Sequence, residues 1–593
     1  MNHPRTFVTA FLGLLVLATA AMVAINVVVD PFWRFDLVTL RGINGQRPVF
    51  SSFARSGKAG EVCRIRPAQV AIGTSRIEVG IDPQHPGWSD EPGPVYNLGL
   101  AGIGLKELSL TFQHVVNTSP LKRAVIGLDF LMFNANREAV VFGTEVLDFD
   151  ESQLVLSRDG SCRRAFLQDA NRLIGIRGFM YSAMTIAGQL GAADEADNDK
   201  EPAWLSLYDR NGFRPYFPIG FNHILNRIGT RTAFSQEKYY IIKVWRPPPD
   251  ERYCFTRPGQ PNTFDVFRDM VRFARRFGVD VRFYLEPQHA RMMLALQDAG
   301  LWPQFEDWKR GVVEILAKEA EESDKPQFPL WDFSGFNSIT DEHIPDEGDN
   351  TTRTRWFWEG SHYRKAAGDL ILDRLLNYHT SDVPADFGVR LSTENIESWL
   401  VATRKAGRDY IHAEPGEARF VQGVVESALD GSSGSNCGYY MDQLRAGSAA
   451  LRRDDKVTAK ADFERAKAID ENDRRRAADM GEAYWEPGFA SALQTAEAGG
   501  ELPPNLANWQ AYQQRGIERD AAGDHLGAAA DFAHAVRIGP PNTALHYLRG
   551  VALLHAGNAV GAAGEFERGL KLEPTNPTLA QLLQQVRSAQ KAN

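Results

Sequence analysis

Three side chains in this sequence are of the types that together make a hydroxyl nucleophilic. Ser75 lies in the run Gly73-Thr74-Ser75-Arg76, and Glu359 and His362 share Trp358-Glu359-Gly360-Ser361-His362-Tyr363. A serine attacks a carbonyl when an adjacent base takes its proton and a third group orients that base. The reaction also needs donors for the oxyanion that develops. On this reading Ser75 is the nucleophile, His362 the base and Glu359 the orienting acid, with the backbone N–H groups of Ser75 and Gly99 facing the oxyanion. His289, in Glu286-Pro287-Gln288-His289, is a rival base. Arg76 suits an anionic group on a substrate, though an ordinary salt bridge is the favoured reading. Taken singly each residue has a plainer reading: a serine in such a turn caps a helix, a histidine at a helix start caps it or faces water, and a lone glutamate is solvated.

These residues converge only if they sit at the ends of strands in one sheet. Apolar, β-branched runs at 70–73, 95–98, 123–128, 279–285 and 328–333 read as strands. Amphipathic stretches at 102–117 and 263–277 read as helices between them, and a further helical run, 364–376, follows His362. Such alternation predicts an α/β fold with a mostly parallel sheet, because a parallel connection returns through a crossover helix. Sites in such folds lie at the carboxyl ends of the strands. Ser75 follows the first strand, Asn97 and Gly99 end the second, Asp129 follows the third and His289 the fourth.

The order of IGTSR (72–76), YNLGLAG (96–102), VIGLDF (125–130) and EGSHY (359–363) resembles that of the SGNH, or GDSL-like, hydrolase superfamily. The resemblance extends over residues 31–383 and implies a three-layer parallel-sheet domain that cleaves or transfers acyl esters without a cofactor. It looks closest to the membrane-anchored members, the alginate O-acetyltransferase-like and D-alanyl transfer proteins. Carried over, Ser75 matches the nucleophile, Gly99 the donor of the second block and His362 the base. There are two departures. The family's terminal acid is Asp, where this chain has Glu359. Its third-block Asn donor is here Asp129, and an ionised carboxylate there repels an oxyanion. Asn134 or Asn97 could then substitute as donor, or the domain has lost its chemistry and serves as a glycan-binding or scaffolding module.

The rest of the chain sets the context. Residues 7–29 form an uncharged run of about 23 residues, enough to cross the roughly 30 Å hydrocarbon core as a helix. Ala18, Ala20 and Ala24 are also compatible with a cleavable signal, but the apolar run is longer than such signals use and continues past them. Arg5 and the terminal amine before the run, against Asp30, Arg34 and Asp36 after it, give a small positive bias that orients the bulk away from the cytoplasm, which implies a single-pass inner-membrane protein facing the periplasm. A second apolar stretch, 173–190, contains Arg177 and Gln189 and is expected to be a buried helix of the soluble part. Residues 131–262 exceed a simple crossover, and with Trp204, Tyr208, Phe213, Tyr216 and Phe217 they read as an insertion or cap.

Residues 384–436 read as a linker ending in Gly431-Ser432-Ser433-Gly434-Ser435. Over 437–593, Gly516, Ala528, Phe532, Ala535 and Pro540 recur as Gly550, Ala562, Phe566, Gly569 and Pro574 at an offset of 34 residues. Gly447, Ala459, Phe463 and Ala466 fit an earlier copy and Gly481 a degenerate one. The pattern resembles a tetratricopeptide array, which implies protein partners. Four scattered cysteines, Cys63, Cys162, Cys254 and Cys437, lack metal-site spacing and leave any disulfide pairing open. With 66 basic and 75 acidic residues, a net charge of -9 argues against nucleic acid as a partner. The expectation is a membrane-anchored, extracytoplasmic serine acyltransferase or esterase acting on an envelope or exported polysaccharide.

Overall fold

The computed structural model describes residues 3–45, 53–136, 151–157, 175–190, 208–215, 229–245, 253–256, 261–349, 351–429, 455–479, 509–538 and 542–592, with a few isolated residues besides. Trp204, Tyr216, Phe217, Gly447, Gly481, Pro540 and the 431–435 run lie outside them.

Five strands, β1 (Gln69–Gly73), β2 (Val95–Gly99), β3 (Arg123–Leu128), β4 (Asp280–Leu285) and β5 (Leu330–Asp332), pair in parallel in the order β2-β1-β3-β4-β5. A short sixth, β6 (Val389–Arg390), adds antiparallel to β5. All five parallel strands fall where the apolar runs predict them. Their side chains alternate between two buried faces. Val70, Ile72, Ala124, Ile126, Val281 and Phe283 belong to one core, and Ala71, Val125 and Tyr284 to the other.

Helices cover both faces. Leu108 and Phe112 of α4 (Leu105–Thr118) and Phe267 and Val271 of α7 (Thr263–Phe277) join the first core. So do residues of α8 (Ala290–Asp298) and α9 (Trp302–Ser323). Ile77 of α3 (Ser75–Gly80) and Ile371 and Leu375 of α10 (Lys365–Leu376) join the second. The bounds of α7 follow from its caps: Asn262 accepts the Phe264 N–H at 2.8 Å, and Gly278 closes the helix at φ 68°. The chain runs from β1 to β2 on one side and from β3 to β4 on the other, and the crevice at that reversal, between β1 and β3, is where α/β sheets bind ligands.

Two expectations about chain organisation give way. The 384–436 segment is not simply a linker. It contributes β6, α11 (Ile396–Ala413) and α12 (Pro415–Leu429), and Ile396 with Leu400 and Val421 with Val425, each four residues apart, bury in the first core. The 173–190 stretch does form a helix, α5 (Ile176–Leu190), but not a buried one, since Ile176, Phe179, Met180 and Met184 are exposed. α6 (Thr230–Phe234) comes from the same expected insertion.

The N-terminal helix α1 (His3–Val29) contains a 24-residue stretch, Thr6–Val29, long and apolar enough to cross a membrane. It is followed by α2 (Ala54–Ile65), which a disulfide between Cys63 and Cys162 ties to the insertion across 99 residues of sequence; Cys254 is disulfide-bonded as well. At the other end, α13 (Lys456–Asp479) precedes the helices α14 (Trp509–Ala521), α15 (His525–Ile538), α16 (Thr543–His555), α17 (Ala559–Leu572) and α18 (Pro577–Ala592). From α14 onward each helix packs on the next. Gly516 faces the ring of Phe532 and Gly550 that of Phe566, so closely that a Cβ would come within 2.7 and 2.3 Å of ring atoms. The small-residue and phenylalanine positions of the 34-residue pattern are thus matched contacts between paired helices.

Candidate active site

The turn from β1 into α3 carries Ser75. Thr74 caps the helix, its Oγ1 accepting the Arg76 N–H at 3.2 Å and donating to Glu286 Oε2 at 3.1 Å. Gly73 cannot carry a side chain here, because a Cβ would lie 2.7 Å from Ile77 and 3.1 Å from the Gly127 carbonyl. Among the described residues the Ser75 N–H has no acceptor, as expected in the first turn of a helix. The Leu100 N–H donates to the Gly73 carbonyl at 2.9 Å, which lays the start of the loop after β2 beside this turn.

Across the crevice, residues 356–364 form a tight loop. Phe357 and Tyr363 pair as an antiparallel bridge, the Trp358 N–H donates to the His362 carbonyl at 2.8 Å, and the Arg364 N–H to the Trp356 carbonyl at 2.7 Å. The Glu359 carboxylate accepts the backbone N–H groups of Ser361 at 3.0 Å and His362 at 2.9 Å and also engages His362 Nδ1. The longer acid is accommodated because the loop curls over it. His362 Nε2 lies 2.7 Å from Ser75 Oγ. With a carboxylate at Nδ1 the proton belongs on that nitrogen, and Nε2 accepts from the serine hydroxyl. Ser75, His362 and Glu359, 287 residues apart at their extremes, therefore form one hydrogen-bonded line. Glu359 is buried and the His362 side chain 13% exposed, so the line runs from the interior to an accessible edge.

Beneath this line lies a buried polar network with Arg76 at its centre. Its Nε donates to the Ser361 carbonyl at 2.7 Å and its Nη2 to Ser361 Oγ at 2.6 Å. Nη1 is 3.4 Å from Glu286 Oε2 and pairs with Asp129. Tyr240, from the insertion, shares a hydrogen bond with Ser361 Oγ, and burial pushes its phenol up to about 12. Burial likewise raises the Glu286 carboxyl, with Arg76 opposing the rise. The network fastens the loop that carries Glu359 and His362 to the helix that carries Ser75.

The remaining expected site residues are committed elsewhere. Arg76 is fully buried and paired, so it does not bind a substrate anion. The Gly99 N–H donates to Asn97 Oδ1 at 2.9 Å and so does not face an oxyanion. What requires glycine there is packing, since a Cβ would come 2.3 Å from the Glu78 nitrogen. Asn97 Nδ2 donates to the carbonyls of Ile77 and Ile81, both at 2.7 Å, and ties off the end of α3. Asn134 Nδ2 donates to the Trp245 carbonyl at 3.0 Å, and its Oδ1 accepts the N–H of Cys254 at 3.1 Å. Asp129 caps the turn after β3 through the Leu131 N–H at 3.1 Å, and its charge is countered by Arg76. His289 is not a rival base. It caps α8, accepting the Arg291 N–H at Nδ1, while Nε2 is 2.7 Å from the Glu342 carbonyl. Burial lowers its pKa to about 3, which keeps it neutral.

Sequence reasoning assigned no role to Thr74, Glu286, Ser361 or Tyr240. Ser361 lies within the EGSHY run and Glu286 just after a strand, so position could have flagged both. Tyr240 lies in the insertion with no pattern around it. One cluster of metal-ligating types occurs among the described residues, Asp520 with His525 and His555, well away from Ser75 in sequence. There His525 and His555 hydrogen-bond the carboxylate at 2.7 and 3.2 Å, which satisfies all three without an ion. No protein-family model and no curated protein matches the chain.

Proposed function

We propose that the chain is a membrane-anchored, extracytoplasmic serine acyltransferase or esterase of the SGNH type, acting on ester groups of an envelope or exported polysaccharide. The observation that carries the reading is the 2.7 Å approach of Ser75 Oγ to His362 Nε2, with Glu359 on the other ring nitrogen. In the reaction Ser75 Oγ attacks the ester carbonyl and its proton passes to His362 Nε2. Glu359 stabilises the imidazolium, which then protonates the departing alcohol oxygen. The acyl group remains on Ser75 until water or an acceptor hydroxyl, deprotonated by His362, displaces it. The apolar α1 supports an anchor, and the disulfide from Cys63 to Cys162 supports an oxidising compartment. The 34-residue helix pairs support a tetratricopeptide array that recruits protein partners.

A second reading has its own observation. With the Gly99 N–H on Asn97 and Asp129 on Arg76, two of the three oxyanion donors typical of the family are missing. An SGNH-like domain retained for glycan binding or scaffolding would look like this. Labelling with a fluorophosphonate probe separates the two, since the probe reacts only with an activated serine. The wild-type chain is expected to label, and Ser75→Ala and His362→Ala are not. A folded wild type that does not label counts against the serine mechanism and favours the binding reading.

A further inference from the structure

The helix α5 is built inside out for a protein in water. Its buried positions are Gly178, Ser182, Thr185, Gly188 and Gln189, all small or polar. Its exposed positions include Ile176 at 72%, Met180 at 59%, Met184 at 55% and Phe179 at 41%. A helix on a water-soluble surface turns its apolar stripe inward. Helices in a bilayer do the reverse, packing on one another through small and hydroxyl-bearing residues and leaving large apolar side chains to the lipid.

What α5 packs against is the end of α1. Ser182 Oγ donates to Asn26 Oδ1 at 2.8 Å, and Asn26, within the last turn of the apolar span, is fully buried. A polar side chain within such a span must face protein, and α5 supplies that protein. Tyr181 packs edge-on against Phe32 and Phe53, just beyond the span. The loop after α1 lies beside the end of α5, with Gln189 3.6 Å from where a Cβ of Gly45 would stand, and its Leu37 (70% exposed), Val38 and Leu40 point outward. Asn44 stitches that loop to α1, its Nδ2 donating to the carbonyls of Val28 and Val38, both at 2.8 Å. Large exposed apolar side chains thus gather where α1 enters the folded domain.

We propose that α5 and the loop of Leu37 to Leu40 lie in the lipid bilayer beside the end of α1, with Phe179, Met180 and Met184 among the acyl chains. The inference rests on α1 being a membrane helix. With 15 residues α5 is about 22 Å long, short of the roughly 30 Å hydrocarbon core. It therefore does not span but lies in the leaflet nearest the domain, with Arg177 able to extend to the headgroups. Lipid, rather than a protein partner, is the occupant because α5 packs on the apolar span itself, through Ser182 and Asn26, and because the faces of α5 are inverted. Held at two elements, the domain keeps a fixed attitude to the membrane instead of swinging on one helix.

The test uses the full chain with its disulfides intact, in phosphatidylcholine and phosphatidylglycerol vesicles. Nitroxides at Met180→Cys and Met184→Cys are compared with Leu14→Cys in α1 and with Val560→Cys, 77% exposed on a C-terminal helix. The expected result is collision with oxygen several-fold above collision with a nickel chelate, as at Leu14. A nickel-dominated pattern like that of Val560 overturns the proposal and points to a protein docking face. A water-like Leu14 overturns the anchor and the proposal together, and so separates the two failures. A second measurement needs no substitution. A diazirine-bearing phospholipid is expected to label the wild-type tryptic peptide beginning at Gly178, and absence of label there alongside labelled α1 overturns the proposal.

Discussion

The two sides of the crevice around Ser75 are built unequally. On the side of the base, every expected group meets its neighbour: Ser75 on His362, His362 on Glu359, and the Glu359 carboxylate on two backbone N–H groups. On the side of the oxyanion, the expected groups satisfy one another instead. Gly99 donates to Asn97, Asn97 to the carbonyls ending α3, Asn134 to Trp245, and Asp129 pairs with Arg76. A buried polar group must find a partner within the fold before it can serve a substrate. Ser75 and His362 reach an accessible edge and keep their chemistry, while Gly99, Asn97, Asn134 and Asp129 are buried and are consumed as structure. Among the expected donors, the Ser75 N–H is the one left to meet developing charge.

The largest effect should come from the base side. Ser75→Ala and His362→Ala are each expected to lower the rate of fluorophosphonate labelling or ester cleavage by at least about 10³-fold with little change in thermal stability, because neither side chain lies in a core. Equal labelling in wild type and Ser75→Ala would place the reactive serine elsewhere. Next comes Glu359→Gln, which keeps the shape but offers His362 Nδ1 a group that is no longer an anion. The expected loss is about 10²-fold in rate, with some loss of stability because the two N–H groups of the loop also lose a charged acceptor. A rate within a factor of two of wild type would mean that Glu359 only shapes the loop.

How far the sequence was legible follows the same division. The parallel strands could be read because a strand buried on both faces, such as 124–128, is a continuous apolar run, and α7 because Phe264, Phe267, Val271 and Ala274 keep helical spacing up to Gly278. The line of Ser75, His362 and Glu359 could be read because each sits where a strand or loop ends in a short motif. The commitments of Gly99 and Asn97 could not, because a strand-end position says nothing about which neighbouring carbonyl or N–H a buried amide will take. The sixth strand with α11 and α12 was obscured by polar composition, although Ile396 with Leu400 and Val421 with Val425 carry the helical spacing. α5 departs from expectation because an apolar stretch predicts burial, and its sequence does not say that its polar face is the one turned inward.

Asp129→Asn sharpens the comparison on the oxyanion side. If Asp129 were simply a lost donor, restoring the amide would raise the rate. In this network an amide N–H₂ would instead face the Arg76 guanidinium or leave it with one counter-charge, that of Glu286. The expected outcome is a destabilisation of about 1–3 kcal/mol in denaturant unfolding, with labelling raised no more than a few-fold. A tenfold or greater rise in labelling without loss of stability would show that this side chain reaches the oxyanion position.

The smallest effect concerns His289, which the same rim offered as a base and the fold uses as a cap. Its pKa is lowered by burial from an ordinary 6.5 to about 3, so between those values the unfolded chain binds a proton that the native chain does not. Stability contributed by the neutral ring is fully present above pH 6.5 and is lost as pH falls toward 3, by up to about 1.4 kcal/mol per unit. Asp341, raised by burial from 3.8 to about 7, acts with the opposite sign, since its native form holds a proton that the unfolded chain releases over that range. The prediction is therefore a difference between proteins. His289→Asn, which can still cap α8 through its side-chain oxygen, should lose a roughly constant amount of stability from the missing ring contacts with Phe234 and Phe357. Its stability should then fall less steeply than that of the wild type between pH 6.5 and 4.5, by about 1 kcal/mol per unit, while labelling of Ser75 at pH 7 stays within a factor of two. Parallel stability curves would mean that His289 titrates natively, and a large loss of labelling would return it to the catalytic machinery.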